Sequence, residues 1–189
     1  VFDVNVYGPY RINKAFAPLL IESRGRTTTI GSISGFLTWP TGGIYTMSKF
    51  AVEAYTDTLA TEMAEAGVRV SVIEPGNFKS DIRRKAALYA MGKGPDEAGD
   101  LTEEEQTRLR QAIERNAGMR APDPVAEAAL HALFADEPKR RYMVTPDQRE
   151  AEMTIKAALG RIAQLNADQP YSYSREEMVA MLEEALAAQ

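Results

Sequence analysis

The chain has 189 residues, 44% apolar and 26% charged, with a formal net charge of −5. That suits one ordinary domain, and the acidic balance argues against the clustered basic face that nucleic acid would need. It contains no cysteine, which removes disulfides, thiolate nucleophiles and sulfur-ligated metals together.

Residues 4–22 carry Val4, Tyr7, Ile12, Ala15, Phe16, Leu19 and Leu20 at mostly helical spacing, which predicts a first helix. Its longest apolar run, broken by Pro18, is far shorter than the roughly 20 residues of a membrane span. The first residues lack the basic start of a signal peptide, and a cytoplasmic location is expected. Arg26–Ile33 reads as a strand rich in Thr and Ile, ending in the small residues Gly31 to Gly35.

After a turn through Trp39, Pro40, Thr41, Gly42 and Gly43, a long helix is predicted over 44–66, with Ala51, Tyr55, Leu59 and Met63 on one stripe and Gly67 ending it. Val68–Glu74 reads as a second buried strand, closed by Pro75 and Gly76. The stretch 79–121, punctuated by Gly92, Gly94, Pro95 and Gly99, reads as an insertion able to cover a site. Within it Thr102 and Glu105 open a charged helix with a capping box. Asp123 caps and Pro124 opens a helix reaching about Ala135, and Arg141–Val144 is a short third strand. Two more helices are expected over about 147–165 and 175–188, the second begun by Ser174 and Glu177. Met178, Met181 and Leu182 are expected to pack.

Alternating strands and helices imply a parallel α/β sheet. The expected fold is part of a doubly wound, Rossmann-like sheet of about three strands, with right-handed crossovers, helices on both faces and a helical C-terminal extension. Residues 1–145 form its main body, with 79–121 as the lid, and 146–189 are the extension. Ligands of such sheets bind at the carboxyl ends of the strands.

Ser32, Tyr45 and Lys49 fall there, thirteen and then four residues apart. Tyr45 and Lys49 lie one helical turn apart on one face. A tyrosine with an ordinary pKa near 10 is a poor base at neutral pH unless a cation favours the phenolate, and Lys49 can supply that charge. A serine hydroxyl can hold a carbonyl or alcohol oxygen within reach of the phenol while a hydride moves at the adjacent carbon. Tyr10 with Lys14 and Tyr89 with Lys93 repeat the Tyr–Lys spacing, but neither has a serine thirteen residues upstream. A nucleophile elbow would need Ser where Ile33 stands. The one histidine, His131, lies inside a helix without a metal cluster or triad order, and reads as structural.

The segments Gly31 to Gly35, Tyr45 to Val52 and Pro75 to Ser80 together resemble the motifs of the short-chain dehydrogenase/reductase family, in its order and spacing, over most of residues 1–145. The resemblance implies that Tyr45 is the catalytic acid or base, that Ser32 steadies the substrate oxygen, and that Lys49 lowers the phenol pKa and binds the nicotinamide ribose. Asn5 matches the family's active-site Asn, holding a water in the proton relay. Pro75, Gly76, Asn77 and Phe78 would line the nicotinamide of NAD or NADP, and Ser80 stands where the family usually has Thr.

The same resemblance implies an enzyme interconverting an alcohol and a ketone or aldehyde, with a small lipophilic substrate, no metal, and a homodimer or homotetramer. Glu74 to Phe78 and the long lid are similar to branches acting on steroids, retinoids and other lipophilic alcohols. No glycine-rich dinucleotide turn occurs in the chain, so about three βα units, on the order of ninety residues, are expected before Val1. The strand at Arg26–Ile33 would then be an open sheet edge. The alternative expectation is an inactive fragment or association module on the same scaffold.

Overall fold

Threonine, valine and isoleucine make up half of the strand residues, and the sheet the strands build is parallel throughout. The computed structural model describes residues 1–40, 42–94 and 101–188. A π-helical turn, Asp3–Tyr7, runs into helix α1, Gly8–Ser23. Strand β1, Arg26–Ile30, is followed by a tight 3₁₀ turn, Ile33–Gly35, and by helix α2, Gly43–Ala64. Strand β2 is Arg69–Pro75; helices α3, Ile82–Ala90, α4, Glu103–Ala117, and α5, Asp123–Phe134, then lead to strand β3, Arg141–Val144. Helices α6, Gln148–Asn166, and α7, Arg175–Ala187, complete the described chain.

The strands lie in the order β1-β2-β3, with Ile30 beside Ile73 and Ile73 beside Tyr142. Side chains alternate across a strand, so β2 feeds two cores. Val70 joins Leu59 and Met63 of α2, with Ala17 and Leu20 of α1, on one face. Ile73 joins Ala132 of α5 and Tyr142 of β3 on the other. Helices therefore cover both faces of a Rossmann-like α/β sheet, as expected.

The crossovers differ from expectation. Both connections step the same way across the sheet, yet α2 packs on one face and α5 on the other, so the two have opposite hands and cannot both be right-handed. The handedness rule rests on a compact strand–helix–strand unit. Only β1-α2-β2 is one, because the connection from β2 to β3 also carries α3 and α4.

Smaller differences have local causes. β1 stops at Ile30 rather than Ile33, because Ser32 caps the 3₁₀ turn, its Oγ accepting from the Ser34 N–H at 3.1 Å. Helix α3, for which no helix was expected, lies in the insertion, where Leu88 is fully buried. Asp123 is the first residue of α5 rather than its cap. Leu59 and Met63 of the expected α2 stripe are buried, whereas Ala51 and Tyr55 are half-buried. Met181 and Leu182 stand exposed on α7, which buries no residue, and Met178 is half-buried, so the expected packing is at most partial.

The capping boxes at Thr102/Glu105 and Ser174/Glu177 both form. Gly67 takes a left-handed φ of 73° where α2 ends. Pro95 and Gly99 of the expected insertion, and Thr41 of the earlier turn, lie outside the described residues. His131 Nδ1 pairs with the Tyr142 hydroxyl at 2.8 Å, which ties α5 to β3 and gives it the structural part expected. No described helix is long and apolar enough to cross a membrane.

Candidate active site

The carboxyl ends of β1 and β2 meet at Ser32. Its buried Oγ lies 3.0 Å from Ser34 Oγ and 3.4 Å from the Pro75 carbonyl oxygen, joining the two strand ends. A substrate oxygen there would compete for the single hydroxyl proton. Gly42 lets the chain pass under Trp39, where a Cβ would collide with the indole. The Trp39 ring then stands 6.2 Å from that of Tyr45 in the first turn of α2.

One turn later, Lys49 Nζ donates to the Ile30 carbonyl at 3.0 Å and lies 5.8 Å from the Tyr45 ring centroid. Burial lowers the Lys49 pKa, and the neighbouring Glu53 partly opposes that shift. The ammonium thus sits at the end of β1 beside the phenol, on the face that the spacing predicts.

Asn5 reaches the same helix from the other side. It lies within the π-helical turn, a widened geometry frequent at functional sites. Its amide Nδ2 donates to Ser48 Oγ at 3.0 Å, and Ser48 Oγ in turn donates to the Tyr45 carbonyl at 2.6 Å. Asn5 is therefore joined to the Tyr45 turn through Ser48.

Pro75 to Phe78 leaves β2 under close restraint. Gly76 N–H donates to the Val144 carbonyl at 2.7 Å, and Phe78 is buried. Asn77 donates from its backbone and its amide to the two carboxylate oxygens of Glu150, both at 2.8 Å, and accepts from Arg83 at 2.9 Å. The Ser80 N–H donates to Asn116 Oδ1 at 3.0 Å, while its side chain is exposed. Sequence reasoning missed Glu150 and Arg83. The one local signal is Asp147 three residues before Glu150, an N-terminal helix pattern that says nothing of Asn77.

Beneath the Ser32 turn lies a charged cluster that was also missed. Arg141 Nη1 donates to Glu53 and, at 2.7 Å, to Glu74, and Arg141 Nη2 donates to Asp57 at 2.7 Å. Burial pushes the Glu74 carboxyl up to about 7, the nearby Glu53 charge adds to this, and Arg141 opposes it. A hollow of about 460 Å³ opens alongside α2, lined by Phe2, Thr38, Thr46, Met47, Phe50 and Arg161. It does not include Ser32, Tyr45 or Lys49, so it flanks the site rather than defining it.

A family model described as short chain dehydrogenase matches residues 1–88. Rat (Rattus norvegicus) mitochondrial D-beta-hydroxybutyrate dehydrogenase is 34% identical over 152 residues, covering 75% of this chain and 44% of that protein. Over residues 1–88 the chain is similar to the short-chain dehydrogenase family. Human (Homo sapiens) 11-beta-hydroxysteroid dehydrogenase type 2 is 36% identical over 149 residues, 74% of this chain and 37% of the relative. The chain thus spans less than half the length of both of these family members.

Among solved structures, a short chain dehydrogenase/reductase from Burkholderia phymatum in complex with NAD aligns with a TM-score of 0.64. The identity is 24%, over 92% of this chain and 61% of that one. A short-chain dehydrogenase from Streptomyces avermitilis aligns at 0.62 with 22% identity, over 87% of this chain and 57% of that one. At such identities the likeness establishes the family's fold.

Proposed function

We propose that the complete protein is a nicotinamide-dependent oxidoreductase that interconverts an alcohol with a ketone or aldehyde. The observation carrying this reading is the placement of Tyr45 and Lys49 on one face of α2, with Lys49 Nζ fixed to the last residue of β1 and Ser32 at the adjoining strand end. The residues present fit the nicotinamide end of NAD or NADP: a half-buried ammonium, and a restrained Pro75 to Phe78 segment, both at the carboxyl ends of parallel strands. When bound, the nicotinamide supplies or accepts the hydride.

Ser32 Oγ donates to the substrate oxygen, fixing it next to the Tyr45 phenol. Tyr45 gives its proton to that oxygen in reduction and takes it in oxidation, with the Lys49 ammonium beside its ring. Lys49 and the phenol also hold the ribose hydroxyls, and Asn5 steadies the Tyr45 turn through Ser48 and orders a relay water. Pro75, Gly76, Asn77, Phe78 and Ser80 line the cofactor, with α3 and α4 as the lid over the site. The relatives' names, hydroxybutyrate and hydroxysteroid dehydrogenases, support an alcohol substrate. The apolar Phe2, Met47 and Phe50 beside the site suit a lipophilic one. Exposed Ile12, Phe16 and Leu19 along α1 suit pairing with another copy.

Tyr45→Phe in the full-length protein is expected to lower turnover at least about a hundredfold, with NADH or NADPH affinity by fluorescence weakened by no more than about tenfold, the loss of one hydrogen bond to the ribose. Undiminished turnover would overturn the assignment.

A further inference from the structure

Glu53 lies at the interior of the molecule without full hydrogen bonding. Its Oε2 accepts from Arg141, but its Oε1 is buried and has no hydrogen-bond partner. A polar atom left in that state costs stability unless it serves something else. Its surroundings show what that is.

Two glycines make room for this carboxyl. A Cβ on Gly31 would stand 2.9 Å from Glu53 Oε1, and one on Gly35 would stand 2.6 Å from Glu53 Cγ. Those glycines bracket Ser32, so the carboxyl is wedged directly under the turn that carries the candidate substrate-holding hydroxyl. Arg141 holds the wedge and, 5.7 Å from the Phe36 ring centroid, also touches the residue after the turn.

The charged groups facing the wedge come from three elements. Helix α2 supplies Lys49 and Asp57 beside Glu53 itself, β2 supplies Glu74, and β3 supplies Arg141, while Arg140 meets Asp57 from the residue before β3. Glu53 and Glu74 are both buried and accept from the same guanidinium nitrogen. One guanidinium nitrogen serves both buried carboxylates, so their mutual repulsion favours a proton on Glu74.

We propose that Glu53 is a positioning residue for Ser32, and that the proton on Glu74 keeps the wedge seated under the Gly31 to Gly35 turn. Loss of that proton sets two carboxylates against each other and drives Glu53 into the turn, which misaligns the hydroxyl. Glu53 touches no reacting atom in this scheme and acts through Ser32. The proposal rests on the role given to Ser32 above.

The test uses the full-length protein with Glu53→Ala and Glu74→Gln. Glu53→Ala leaves Arg141 paired with Glu74 and Asp57, so the fold is retained. It is expected to lower kcat about tenfold with cofactor KM within about twofold, because a small displacement of a positioned group costs rate more than binding. Amide hydrogen exchange across Ile33 to Phe36 is expected to quicken several-fold, on the order of the loss in packing at the turn.

Glu74→Gln, with a permanently neutral partner, should keep turnover within about threefold at low pH, and should lose a decline centred near pH 7 that the unmodified protein shows. Unchanged exchange and kcat in Glu53→Ala, or a decline that survives in Glu74→Gln, would overturn the proposal. Exchange reports on the wedge alone, whereas turnover of Ser32→Ala reports on the reading of the site, so the two failures are separable.

Discussion

Glu150 occupies a position in the first turn of α6 where a glutamate commonly folds back to the cap residue, yet both its oxygens reach Asn77 at the end of β2. Glu150→Ala is expected to raise the cofactor KM about three- to tenfold and to change kcat less, since it frees a segment proposed to line the cofactor rather than the reacting groups. Glu150→Gln keeps one acceptor for the Asn77 backbone N–H and should lie between. Steady-state kinetics decides this, and a KM equal to that of the unmodified protein would count against the part given to Asn77. Residues such as Ser32, Tyr45 and Lys49 were legible in the sequence because their geometry is local: one strand end and one helical turn set it. The bonds from Glu150 to Asn77 and from Arg141 to Glu53 span 73 and 88 positions. No periodicity carries information over such a separation, and only the folded sheet brings those partners together. Glu53 had the faintest local mark, a carboxylate one turn beyond Lys49 on the same helix face.

Strands and helices were readable where burial imposes a clear period. β3 has the expected bounds, and α2 is off by a residue or two at its ends. The short β1 and the unforeseen α3 show the limit. Small residues from Gly31 to Gly35 extend a β-like pattern past the point where a serine cap turns the chain, and the polar Arg83, Arg84 and Lys85 mask a helix whose one fully buried anchor is Leu88. At this scale Ile73→Ala is expected to destabilise by about 2–5 kcal/mol, because Ile73 is fully buried between Ala132 and Tyr142. Thr102→Ala removes a cap from α4 and should cost about 1 kcal/mol. Urea unfolding of both variants measures the contrast, and a core substitution no costlier than the cap would contradict the packing described.

For the molecule as a whole, the Glu74 proton couples folding to pH. The folded chain keeps it up to about pH 7, whereas the unfolded chain releases it near its ordinary 4.5. This group's stabilising contribution is therefore complete below the lower value, is lost as the pH rises between the two, and is gone above about 7. Urea midpoints from about pH 5 to 8 should show that fall, at most about 1.4 kcal/mol per pH unit. Glu74→Gln should flatten it, and an identical slope in the variant would mean that Glu74 does not hold the proton. The doubly wound plan was visible from the alternation of elements, but the opposite hands of its two crossovers were not, because handedness depends on which face the last helix of a long connection chooses. Helix α6 adds something to that plan. Glu150 near its start grips the end of β2, and Arg161 further along lies 4.6 Å from the Phe50 ring centroid on α2. The groups proposed for proton transfer all precede residue 80, while this brace across the flanks of the cleft comes after residue 147. Divergence among descendants of such a chain can therefore reshape the cleft's margins through its tail while the proton-handling groups are inherited unchanged, which lets one chemistry be redirected to new alcohols by drift in a separate stretch of the gene.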